Sequence, residues 1–138
     1  MPITATTNYR ARKLEPAYQP EKAVTQAAKI ASGNYAAGTV LGLVGATGAL
    51  KAYANGNSDG SETAVAIAMY DMYSDGTNVS ITAAGALIAG ETATDAPVYI
   101  AGFFRCDQLT GLDANGVTDM KARLVDAPNL ASGVLALF

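Results

Sequence analysis

The stretch GTVLGLVGATGALKAYA, residues 38–54, decides the fold. It is short, rich in Val and Leu, and cut by glycines at intervals that no helix of useful length would tolerate. Ala46 to Gly48 reads as a turn between two strands. Downstream, NGNSDGSE (55–62) is a polar loop, and TAVAIAMYDMY (63–73) reads as one further strand, ending before SDGTN. VSITAAGALIAG (79–90) predicts one or two more, and APVYIAGFFRC (96–106) the longest. Strands recurring every 10 to 15 residues, with Asn, Asp and Gly between them, predict a mainly β chain. The expected architecture is a small antiparallel β-rich domain, barrel-like or sandwich-like.

Upstream, KAVTQAAKIASGNY (22–35) can be read two ways. Pro20 and Glu21 resemble the first turn of a helix, whereas Val24, Gln26, Ala28 and Ile30 alternate with Thr25, Ala27 and Lys29. Strand is the favoured reading. Toward the other end, Val117, Met120 and Leu124 share a helical face and Asp119 is spaced to pair with Arg123, so one short helix is expected before Pro128. SGVLALF then closes the chain as a strand in need of a neighbour.

Residues 1–22 differ from the rest. They hold three of the five prolines and show neither strand nor helix periodicity, which predicts an extended N-terminal arm ahead of a domain spanning 23–138. Ile3, Tyr9, Leu14 and Tyr18 are spaced like side chains that fill pockets on another molecule; a disordered tail is the alternative.

Composition limits the chemistry. At 138 residues the chain fits one domain, and 28 of those residues are Ala while Leu, Ile, Val and Phe make up only about a fifth. Such a core is thin, and self-association or a partner would add to it. Net charge is −3, with five basic and two acidic side chains in residues 1–30 and four against ten afterwards. No basic cluster is long enough to follow a phosphate backbone, so nucleic acid is not an expected partner. Neither a membrane span nor a secretory leader is expected, and one Cys permits no internal disulfide.

The chain contains no His. That removes Ser-His-Asp hydrolysis and the usual base for a nucleophilic Cys. Arg105, Cys106 and Asp107 therefore read as a strand end, with Cys106 packed in the apolar row of Val98, Ile100 and Phe104 and with Arg105 and Asp107 paired at the surface. Asn55, Asn57 and Asp59 imitate half of a calcium loop, but the closing carboxylate position falls on Ala66. Asp59-Gly60 and Asp75-Gly76 read as turns. No cofactor, metal or enzymatic activity is expected.

GTVLGLVGATG with YA at 53–54, then DGSETAVAIAMYDM, then APVYIAGFFRCDQLTGLD, a short helix and SGVLALF form a succession over about residues 30–138. It resembles the head decoration proteins of tailed bacteriophages, the lambda-type capsid-stabilising family. The Asp59-Gly60 turn before the strand Ala64 to Met69, and the Val98 to Arg105 strand, carry the likeness most specifically. The resemblance implies a virion protein, made in the bacterial cytoplasm, that sits as a homotrimer on the outer face of the expanded head. It also implies an arm that becomes ordered beside the major capsid protein, with Ile3, Tyr9, Arg10, Arg12, Leu14 and Tyr18 as its contact residues, and no enzymatic role. The loops 55–62 and 107–116 are longer than in the simplest members. A different class remains open from the residues alone: a carbohydrate-recognition or adhesin module using Tyr70, Tyr73 and Tyr99 as stacking surfaces.

Overall fold

The computed structural model describes residues 11–16, 23–121 and 135–137. Among the described residues, nine strands form two sheets. The larger contains β1 (Val24–Ala28), β8 (Ala96–Phe104), β5 (Ala64–Ala68), β3 (Val40–Leu43) and β4 (Leu50–Ala52) in that spatial order, and β9 (Leu135–Leu137) adds to β8. The smaller contains β2 (Gly33–Tyr35), β6 (Met72–Ser74) and β7 (Val79–Ser80). Among the described residues the α-helix α1 (Ala114–Lys121) follows β8. Residues 24–28 thus settle as strand, in agreement with the favoured reading there.

The β3–β4 hairpin confirms the reading of residues 38–54. Val44 and Ala49 are joined across the turn, and Gly48 takes a φ of 73° that side chains resist. The far edges of the larger sheet then meet. Just after β1, Ile30 bridges Leu50 of β4, with Leu50 N–H donating to Lys29 O and Ala31 N–H to Leu50 O, both at 2.8 Å. This contact closes the sheet and protects edges that would otherwise invite pairing with other chains. All main-sheet pairs are antiparallel except β8–β9, which is parallel.

Each face of the main sheet carries a core. Ile30, Leu41, Leu50, Met72, Val98 and Ile100 belong to one cluster, which extends to the smaller sheet through Tyr35 and Val79. Leu14, Val40, Tyr53, Ile67, Tyr99, Phe104 and Met120 form the other. Two bulges adjust the alternation between them. Leu41 pairs with Ala66 but Gly42 with Ala64, so Val65 is extra; Thr25 pairs with Tyr99 but Val24 with Ala101, so Ile100 is extra. Beyond the second bulge, Gly102 has a φ of 143°, and Phe104 joins the cluster of Tyr99 instead of that of Val98. A strict period of 2 had placed Phe104 with Val98.

Two further expectations are corrected, for TAVAIAMYDMY and for Cys106. TAVAIAMYDMY is two strands in different sheets, broken at residues 69–71 where another segment pairs with the backbone. VSITAAGALIAG holds one strand, β7, within the one or two expected. Its following residues form a loop held at the base by the buried Ser80 hydroxyl, which donates to Glu91 O and accepts from Ile88 N–H. Cys106 is exposed, because β8 ends at Phe104 and Cys106–Gln108 form a single 3-10 turn closed by Leu109 N–H on Cys106 O.

Candidate functional site

Residues 11–16, the described part of the leading segment, lie along the break between β5 and β6. Leu14 N–H donates to Met69 O at 2.8 Å, Asp71 N–H donates to Arg12 O at 3.0 Å, and Lys13 bridges Tyr70 antiparallel. The leader therefore behaves as a short added strand on the chain's own kink. The kink exists because residues 69–71 satisfy their backbone groups with the leader while the chain passes from the larger sheet to the smaller.

Asp71 is the centre of this seat. Only 6 % exposed, it accepts from Arg12 N–H at 2.9 Å, from Arg12 Nε and Nη2 at 3.3 Å each, and from Ala37 N–H at 2.7 Å. Its carbonyl accepts from Thr82 N–H at 3.1 Å. Burial alone would raise its pKa, but the Ala37 and Arg12 amides and the guanidinium outweigh that effect and hold the carboxyl below the usual carboxylate value. One residue thus ties together the leader, the exit of β2 and the start of the loop after β7.

The Leu14 side chain points inward and is 8 % exposed within the cluster of Tyr99, Phe104 and Met120. Tyr99 donates its hydroxyl to Leu14 O at 2.8 Å, and its ring lies 4.9 Å from that of Phe104. Leu14, named from its spacing as a contact residue for another molecule, is packed here in its own domain beside Tyr99. Arg12 is placed on Asp71 with most of its side chain still in solvent. Ile3, Tyr9, Arg10 and Tyr18 lie outside the described residues.

Clefts open on both sides of Arg12. One, of about 270 Å³, is shared by Arg12 and Asp71 with Asn34, Tyr35 and Ala83. The other, of about 480 Å³, has Lys13 and Glu15 on one wall and Asp107, Gln108 and Thr110 on the opposite wall. The Arg105–Asp107 pair expected at the strand end is present and bidentate, at 3.1 and 2.6 Å, and fully at the surface.

The other residues singled out from the sequence have structural partners. Asp59 joins Lys51 at 2.7 Å and accepts from the Ser61 amide, contacts that hold its carboxyl well below the usual range. Asp75 caps its turn by accepting from Thr77 and Asn78 N–H. Tyr99 is buried and presents no ring face for a sugar, and Tyr70 and Tyr73 sit on different elements. Among the described residues no three His, Cys, Asp or Glu side chains converge as a metal site, and no helix is long and apolar enough to cross a membrane.

Sequence reasoning missed Asp71 and Asp113. Asp113 precedes α1, accepts from Gly116 N–H at 2.8 Å and from the Tyr53 hydroxyl at 2.7 Å, and so caps the helix while tying it to β4. Burial, then this carboxylate, push the Tyr53 pKa up to about 12. The Asp-x-x-Gly spacing at 113–116 is a cap signal available from the letters, whereas Asp71 sits mid-strand by pattern and carries none.

Neither the curated proteins nor the solved structures compared with this chain yielded a match. A family model did, described as Bacteriophage lambda head decoration protein D, over residues 6–97. The matched stretch begins inside the leader, includes the whole seat at residues 69–71, and stops in the first residues of β8; the helix and β9 lie beyond it. With more than half its length matched and a β-rich fold around that stretch, the chain belongs to the bacteriophage lambda head decoration protein family, whose members associate with the surface of the phage capsid.

Proposed function

We propose that this head decoration protein binds as a homotrimer to the outer face of the expanded head, pairs its leader with the major capsid protein, and stabilises the shell against the pressure of packaged DNA. The observation that supports the reading is the pairing of residues 12–14 with residues 69–71, an isolated antiparallel bridge in which the leader's backbone is used as a strand's would be. The segment before residue 11 would repeat the same chemistry on the capsid, gaining backbone hydrogen bonds while Ile3 and Tyr9 enter apolar pockets and Arg10 meets acidic groups. Tyr18, which follows residues 12–14 in the sequence, is a second contact candidate.

One such leader binds weakly. Three on a closed ring raise the effective concentration of each, so that a threefold site gains on the order of 10²–10⁴ in affinity over a single arm. A ligand that binds only the expanded shell stabilises that state by mass action. The test is deletion of residues 2–10 and measurement of binding to empty expanded heads. The proposal requires at least a hundredfold loss; unchanged binding contradicts it. Deletion must stop before residue 11, because removing Leu14 would also damage the domain's own core.

A further inference from the structure

The structure places one carboxylate where the leader leaves the domain, and we propose that Asp71 is the positioning residue of the leader: it fixes the root at residues 12–14, so that the capsid-binding part starts from a set point and direction. The inference rests on the capsid reading above.

The geometry separates this role from ordinary core packing. Asp71 Oδ2 accepts the backbone N–H and Nε of Arg12, while Oδ1 accepts Nη2 of Arg12 and N–H of Ala37. The carboxylate therefore holds both the main chain and the side chain of one leader residue, and does so from a buried position on an element fixed from the other side. That fixing comes from Ala37 N–H and from Thr82 N–H on the Asp71 carbonyl. Charge-assisted bonds to a buried acceptor are the stronger kind, and a fork-shaped guanidinium on two carboxylate oxygens sets orientation as well as distance. Backbone pairing at Leu14 and Lys13 alone would allow the segment to slip or fray, as short edge segments do. A pinned root also reduces the number of leader conformations to be lost on capsid binding, which raises affinity without any new contact.

The test uses the full chain, with Asp71→Asn, Arg12→Ala and the double variant. Arg12→Ala alters a side chain that is mostly in solvent, so folding survives even if Asp71→Asn should impair it. Amide exchange is read at residues 12 and 14, with Ala68 N–H, bonded to Thr39 O inside the domain, as reference. Dissociation from empty expanded heads is measured alongside.

Asp71→Asn is expected to speed exchange at residues 12 and 14 at least tenfold with Ala68 unchanged, and to speed dissociation from heads at least fivefold. Arg12→Ala is expected to do the same to a lesser degree, and the double variant no more than Asp71→Asn alone. Unchanged exchange at residue 14 in both single variants would overturn the proposal, as would a loosened root with unaltered dissociation. If the unmodified chain failed to bind heads, the capsid reading would fall, while the exchange result would still decide whether Asp71 holds the root.

Discussion

The two faces of the main sheet are built differently. One cluster draws only on strands and on the residues that immediately extend them, such as Ile30, Leu41, Leu50 and Met72. The other is completed by contributions from far along the chain: Leu14 from the leader and Met120 from the helix close over Val40, Ile67 and Tyr99. The first face is a self-sufficient core. The second depends on the leader, so under the proposed function it is there that stability and capsid binding would meet.

The comparison is broken most forcefully from the first face. Leu41 is fully buried in the central strands, and Leu41→Ala should cost about 4 kcal/mol of unfolding free energy, with all exchange-protected amides affected together. On the second face, Leu14→Ala should cost less, about 2 kcal/mol, and should loosen the leader's amides before those of β3 and β5; chemical denaturation with residue-resolved exchange distinguishes the two. An equal, global effect would show that the faces form one cooperative unit. Smaller again is Tyr53→Phe, which removes the hydroxyl bond to Asp113 and should cost about 1 kcal/mol, read by the thermal midpoint.

Acid sharpens the contrast by sign. The Asp71 carboxyl is held below its unfolded value, so its contribution is present at neutral pH and is lost as pH falls from about 4 through the folded value. Protection of residues 12 and 14, measured against intrinsic exchange at each pH, should therefore fall in acid before that of the β3 amides, and Asp71→Asn should flatten that dependence. At the other extreme, Tyr53 and Tyr99 hold their protons to about 12 against an ordinary 10.0, so their contribution is full below pH 10 and is lost as pH rises toward 12. Arg105→Ala should leave the midpoint unchanged, since both partners of that ion pair stand in solvent.

The same division explains what the sequence disclosed. The β3–β4 hairpin and the Asp-Gly turns were legible because local chemistry determines them: glycine conformational freedom and short polar loops, whereas the letters of β1 allowed helix as well as strand. Phe104 was misplaced because a bulge at Ile100 and the φ of Gly102 shift a period that the letters present as regular, and Cys106 because β8 ends at Phe104 and the chain turns. The break at residues 69–71 was invisible for a different reason. Its cause is a segment some 55 residues earlier, and a pairing at that separation leaves no local periodic trace. The candidate site inherits this limit: the seating of residues 12–14, with Leu14 turned inward and Asp71 beneath Arg12, depends on a contact made only in the folded chain.

Electron microscopy of decorated expanded heads, at a resolution that traces main chain, tests the central claim most directly. The account predicts residues 12–14 still paired with 69–71 of their own domain, Arg12 on Asp71, and the residues before them lying beside a strand of the major capsid protein. Residues 12–14 lifted from their own domain and paired with the capsid instead, leaving Asp71 without Arg12, would contradict it.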